Sequence, residues 1–289
     1  MKPPPFSYHD PRTVDEAIGL LARLENAKVL AGGQSLMPML NMRYVLPDHV
    51  IDLNRVEGLA YIREEGAEVV IGAMTRQREV EFSDLVARRL PLLKDAILQV
   101  GHRQTRNRGT VGGSLSHLDP SAEIPAVCAA LDATIVVQGP NGERRIPFAE
   151  YPAGYMAASI ELDELVTAVR LPVWPDGHGY GFVEFARRHG DFAIVSAGVL
   201  LQAGGDGKIA RAVVTVSGVG PAPVRVAAAE AALAGQAPTE ALFRAAAEEC
   251  RKVDALADIH APSEYRQHLA AVLSRRAMEK AHGRMAGAK

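Results

Sequence analysis

The stretch Lys28-Val29-Leu30-Ala31-Gly32-Gly33-Gln34-Ser35-Leu36 runs as a short apolar strand that stops on two glycines and then offers an amide and a hydroxyl. Such a composition is wanted where main-chain amides must approach a phosphate with no Cβ in between. It is also the composition of a plain tight turn. A second copy stands at Thr110-Val111-Gly112-Gly113-Ser114, preceded by the basic run Arg103, Arg106 and Arg108. Two amide-rich loops with hydroxyl donors in one chain could share a diphosphate. Neither loop carries the Gly-x-Gly-x-x-Gly of a dinucleotide-binding helix start or the Gly-Lys-Ser/Thr of a P-loop, so any nucleotide is held in another way.

Outward from the first loop, Thr13 and Glu16 make a capping box, and Val14, Ala17, Ile18, Leu21 and Leu24 then share one helix face. With a further strand around Val50 to Leu53, residues 1–54 read as a small β-α-β unit. A hairpin follows across Glu65-Gly66, then helical sequence from Thr75 to Val100 with Pro91 suited to a first turn, and a helix from Ile124 to Leu131. A second hairpin spans Pro140-Asn141-Gly142, and Leu165 to Leu171 is a further strand, giving an α+β segment over 55–176. The breaker-rich run from Pro172 to Gly179 is a hinge into 177–289. There, Tyr180 to Phe185, Ile194 to Gln202 and Ile209 to Ser217 predict a three-stranded antiparallel sheet, followed by helices over Val226–Ala234, Glu240–Val253 and Ser263–Ala281.

Bulk properties narrow the function. The chain has 289 residues, 48% of them hydrophobic, enough to bury a sizeable core. Lysine and arginine total 32 against 34 acidic residues, which gives no footprint for nucleic acid or an anionic membrane. No run approaches the ~18 apolar residues of a spanning helix, so a cytoplasmic protein is expected. Cys128 and Cys250 lie in separate alanine-rich helical runs, a spacing for neither a disulfide framework nor a metal or iron–sulfur site. No catalytic triad or metal site is expected.

Several ordered motifs, taken together, are far more specific than either loop. Ala31 to Leu36 and Arg106 to Ser114 resemble the two FAD-diphosphate loops of the medium subunit of molybdenum hydroxylases, the carbon monoxide dehydrogenase and xanthine dehydrogenase family. The likeness extends to Phe6 to Pro11, Asp119 to Pro125, Gly190 to Ala193, Gly220 to Arg225 and Ser263 to Arg266, nearly the whole chain. It implies an α+β fold: an FAD-binding domain of the vanillyl-alcohol-oxidase (PCMH) type in two subdomains, then a C-terminal flavoprotein domain. It also implies roles. Val29, Leu30, Ala31, Gly32, Gly33, Gln34, Ser35 and Leu36 wrap the FAD diphosphate, and Thr110, Gly112, Gly113 and Ser114 supply further amides and a hydroxyl. Glu123 bonds the sugar hydroxyls with Asp119 as a neighbouring candidate, Val166 makes a main-chain contact on the adenine side, and Phe192 covers the isoalloxazine ring. Asp119 is equally a turn signal, and Phe192 equally a core residue at a strand start.

The same resemblance implies an electron-relaying flavoprotein subunit. A small [2Fe-2S] subunit would supply electrons, a large molybdenum-pterin subunit would oxidise the substrate, and quinone, NAD or dioxygen would accept them, in a dimer of heterotrimers, a heterohexamer. Two other classes stay open, a free-standing FAD-dependent oxidoreductase of this fold and a non-catalytic scaffold whose loops are only turns.

Overall fold

The computed structural model describes residues 1–285. Its first unit holds strand β1 (Ser7–His9), helix α1 (Val14–Leu21), β2 (Ala27–Leu30), α2 (Leu36–Asn41) and β3 (His49–Asp52). All three strands are parallel in the order β1-β3-β2, so a strand at the N-terminus joins the expected β-α-β unit. The Thr13 hydroxyl accepts from the Glu16 amide at 3.1 Å, and the Glu16 carboxylate reaches back to the amide of Arg12 at 2.7 Å, one residue before the cap itself. Ala17, Ile18 and Leu21 then pack on Ile51 and Leu53.

Next come β4 (Ile62–Glu65), β5 (Glu68–Gly72), and three short helices, α3 (Gln77–Phe82), α4 (Asp84–Arg89) and α5 (Pro91–Ile97), over the stretch that the sequence reads as helical segments. Ser83 explains one break: its backbone is extended, and its hydroxyl accepts from Val86 N at 3.2 Å to start α4. Pro91 opens α5. Helices α6 (Arg103–Arg108), α7 (Val111–His117) and α8 (Glu123–Ala130) follow, then β6 (Thr134–Gly139), β7 (Gly142–Pro147), a small hairpin of β8 (Pro152–Gly154) and β9 (Ala157–Ala158), and β10 (Leu165–Pro172). The larger sheet is antiparallel, ordered β4-β5-β10-β6-β7.

The last unit contains β11 (Gly179–Phe185), β12 (Val195–Ala203), β13 (Ile209–Ser217), the two-residue β14 (Val224–Arg225), and helices α9 (Ala227–Leu233), α10 (Glu240–Cys250) and α11 (Ser263–His282). Strand β14 adds a fourth member to the expected antiparallel three. Alternation sorts the two faces of this sheet. Val195, Ala197, Val199, Val214 and Val216 pack on the C-terminal helices, whereas Phe182, Leu200 and Val213 join Leu92, Ile97, Leu115, Ile124 and Val127 of the preceding half in one core. Helix α8, buried at all eight positions, lies in that seam, which is why its sequence has no polar face.

One cation secures the strand ends. Buried Arg266 on α11 donates to the carbonyls of Ile194 (2.5 Å) and Gly218 (2.7 Å) and to Asp258 (2.7 Å). Removing one partner of a buried pair leaves the other uncompensated. Arg266→Met is therefore expected to lower the unfolding free energy by about 3 kcal/mol in urea denaturation.

Candidate functional site

Strand β2 delivers the chain into the first glycine segment. A Cβ on Gly32 would overlap the carbonyl oxygen of Arg108, and Gly33 takes φ +72°, so both positions demand glycine for backbone reasons. The main-chain amides of Gly32, Gly33, Gln34, Ser35 and Leu36 donate to no protein acceptor among the described residues. Pairing resumes with Met37, whose amide donates to the Gly33 carbonyl at 3.2 Å. The Ser35 hydroxyl makes no capping bond to α2. Five consecutive free donors, with a hydroxyl among them, form a concentrated site for an anion.

The second glycine segment, expected as another amide-rich loop, is instead the first turn of α7. The Thr110 hydroxyl accepts from Gly113 N at 3.1 Å. Val111 N donates to the Thr75 carbonyl (3.1 Å), Gly112 N to Ala73 (2.8 Å) and Ser114 N to Thr110 (3.1 Å), so all four amides are used internally. Two helical glycines cost about 1 kcal/mol each against alanine. Packing explains them: a Cβ on Gly112 would collide with Ala73, and one on Gly113 would press on the Thr110 hydroxyl and reach Ala31. This segment is a close-fitting wall beside the first, and the Ser114 hydroxyl makes no hydrogen bond among the described residues.

A strut that the sequence reading missed ties the two segments together. Asn54, oriented by Asp52 (2.8 Å from its amide), donates its side chain to the Ala31 carbonyl at 3.0 Å. Arg76 donates to Asn54 Oδ1 at 2.6 Å and to the Arg108 carbonyl at 2.5 Å, and bridges to Thr110 through its backbone. Burial and the Arg108 charge lower its pKa. No motif marks these residues; only the expected contact of the two glycine segments could have prompted a search for them. Of the expected basic run, Arg106 points away: it is buried, pairs with Glu81 at 2.9 Å and donates to the carbonyls of Val100 and Gly101.

The remaining candidates lie on other elements. Asp119 accepts from Ser121 N at 2.8 Å in the turn before α8, which fits its turn reading. Glu123, the first residue of α8, is only 5% exposed and has no ion-pair partner among the described residues. Burial, then the charge of Glu184, pushes it up to about 8, which favours a neutral carboxyl near pH 7, able to donate as well as accept. Val166 is buried on β10 beside a bulge, next to Thr167, whose carbonyl accepts from Ala73 N. Phe192 is 59% exposed in the turn between β11 and β12, which removes the core reading. That turn packs on the His102 ring at the start of α6, where a Cβ on Gly190 would overlap it. His117 is half-buried, and burial lowers its pKa.

Glu123 gives the chain a pH signature. Its native pKa is raised, so the folded state binds this proton more tightly than the unfolded state. The contribution is full below the ordinary carboxyl range and is lost as pH rises toward about 8. Urea denaturation is expected to show stability falling on the order of 1 kcal/mol per pH unit across that window. Glu123→Gln should flatten the slope.

Residues 4–174 match the family described as the FAD binding domain in molybdopterin dehydrogenase, and residues 180–281 the carbon monoxide dehydrogenase flavoprotein C-terminal domain. The chain is 40% identical over 283 residues to the 6-hydroxypseudooxynicotine dehydrogenase complex subunit alpha of Paenarthrobacter nicotinovorans, covering 97% of this chain and 96% of that protein. It is 36% identical to the carbon monoxide dehydrogenase medium chain of Hydrogenophaga pseudoflava, covering 99% and 100%. A solved structure of carbon monoxide dehydrogenase from Hydrogenophaga pseudoflava, lacking the Mo-pyranopterin moiety of its cofactor, superposes with a TM-score of 0.95 at 38% identity, over 99% of this chain and 100% of that one. These matches place the chain in the family of FAD-binding medium subunits of molybdenum hydroxylases, oxidoreductases of the carbon monoxide dehydrogenase and xanthine dehydrogenase type.

Proposed function

We propose that this chain holds FAD against the first glycine segment and passes electrons from the [2Fe-2S] centres of a small partner subunit to quinone, NAD or dioxygen. The observation that carries the reading is the run of five free amides from Gly32 to Leu36, braced against the start of α7. The residues fit a diphosphate: consecutive N–H donors and the Ser35 hydroxyl satisfy its oxygens, while Val29, Leu30 and Ala31 set the approach. Thr110, Gly112 and Gly113 give the second wall its close fit, and Ser114 adds a hydroxyl. Glu123, as a neutral carboxyl, exchanges hydrogen bonds with the sugar hydroxyls, with Asp119 beside it. Val166 offers main chain on the adenine side, and exposed Phe192 covers the ring. FAD, when bound, supplies the redox chemistry, joining one-electron donors to a two-electron acceptor.

In this reading residues 1–54 and 55–176 form the two walls of the cradle and 177–289 close it on the ring side. The substrate is oxidised on a large molybdenum-pterin subunit, in a cytoplasmic dimer of heterotrimers. The relatives' names support this division: proteins this similar along their whole length are named for substrates as unlike as carbon monoxide and 6-hydroxypseudooxynicotine. No described helix is long and apolar enough to cross a membrane.

The purified chain is expected to carry, or to be reconstituted to, a flavin absorbance spectrum. A chain that stays colourless with excess FAD overturns the reading, and one that oxidises a small organic donor alone, without molybdenum or iron, points to a free-standing enzyme. Arg76→Met, which cuts the strut while leaving the amides in place, is expected to weaken FAD binding at least tenfold, ~1.4 kcal/mol, in fluorescence titration.

A further inference from the structure

The face of the β11–β13 sheet that meets α8 changes character along its length. Tyr180, Leu200 and Val213 stand opposite one another as an apolar row, then Phe182, Gly198 and Thr215, and last Glu184, Ser196 and Ser217. Ser196 and Ser217 are 0% and 1% exposed. Their hydroxyls, the Thr215 hydroxyl and Glu184 Oε2 are buried without a hydrogen-bond partner among the described residues. Native interiors pair such groups with protein or ordered water, so four of them on one patch mark a site.

The patch lies at the seam. Gly218 N, just past β13, donates to the Pro120 carbonyl at 3.0 Å, bringing the polar row to the turn that leads into Glu123. The Glu184 charge acts on Glu123, and Arg106 bears on it from α6, the helix whose last carbonyl abuts Gly32. The surrounding charges are spoken for. Arg106 pairs with Glu81, Arg187 and Arg188 with Asp191, and Arg266 with Asp258. Asp119 lies in the turn, His117 ends α7, and His102 stacks on His189 at the β11–β12 turn. Neither Glu123 nor Glu184 has a cation of its own among the described residues.

We propose that Glu184, Glu123 and the hydroxyls of Ser196 and Ser217 form a buried proton-exchange pocket, joined by water, that gives up and recovers the proton accompanying reduction of the neighbouring flavin. The proposal rests on the FAD reading above. With FAD bound and a reduced iron–sulfur donor supplying the electrons, the O–H bond of one carboxyl would break and its proton would pass to the cofactor. The carboxylate left behind is reprotonated from solvent through Glu184, whose side chain is only partly covered. Serine hydroxyls both donate and accept, which suits them to carry the proton across the row. Burial pushes Glu184 up to about 7, and burial with the Glu184 charge pushes Glu123 to about 8, so the pair exchanges protons across the neutral range.

The test compares the holo-complex carrying wild-type chain or Glu184→Gln, which preserves shape and removes the exchangeable proton. FAD occupancy is read first from absorbance, and the flavin midpoint potential is then followed from pH 6 to 9. The expected result is equal FAD content, a bend in the wild-type pH dependence between pH 7 and 8, and loss of that bend in Glu184→Gln. An unchanged bend in a fully FAD-loaded variant overturns the proposal. Infrared difference spectra of the FAD-free chain separate the two readings: a protonated-carboxyl band that titrates near neutrality and weakens in Glu184→Gln is expected whether or not FAD binds. Absence of that band overturns the pocket, whereas failure of FAD to bind overturns the cradle.

Discussion

Everything at this site depends on one close approach, the backbone of Gly32 lying against the Arg108 carbonyl and Gly109. A side chain at Gly32 would push the segments apart, so the contact fixes glycine there and sets the exit angle of β2. Gly33 at positive φ then turns the chain into α2, leaving five amides in a row without a protein acceptor among the described residues. Asn54 and Arg76 hold the arrangement by binding one carbonyl on each side. The strut spans three stretches of chain, so it couples the small parallel sheet to the larger antiparallel one.

The two glycine segments look alike in sequence and do different physical work. In the first, unpaired donors concentrate positive potential at an opening. In the second, the amides of Val111, Gly112, Gly113 and Ser114 are consumed by Thr110 at the helix start and by the carbonyls of Ala73 and Thr75 beyond β5, and the glycines serve fit. The two segments are therefore asymmetric, with unpaired amides on one side and a close-fitting wall on the other. Beyond the wall the seam between the halves is apolar near Phe182 and Leu200 and polar near Glu184, Ser196 and Ser217, and this places two uncompensated carboxyls where charge is costly.

Much of this was legible in the sequence because it rests on local pattern. Thr13 and Glu16 announced a helix start, the alternation from Tyr180 to Ser217 announced strands, and the ordered motifs announced the family. What was not legible depends on tertiary contacts. Thr110 caps a helix that opens on Gly112-Gly113, where Ala73 leaves no room for a side chain on Gly112. The break at Ser83 depends on its extended backbone, which a helical stripe of apolar residues does not disclose. Asn54 and Arg76 are single polar residues with no spacing signature. The Glu123 charge state follows from burial, and the polar row exists only once strand register sets Glu184 beside Ser196 and Ser217.

We propose that the first glycine segment, not the second, binds the cofactor's diphosphate. A crystal structure of the FAD-bound chain tests it directly. Diphosphate oxygens are expected within about 2.7–3.2 Å of main-chain amides from Gly32 to Leu36, with the α7 amides still bonded to Thr75, Ala73 and Thr110. A diphosphate bound by the α7 amides, or elsewhere, with the amides of Gly32 to Leu36 making no contact to it, would contradict the account.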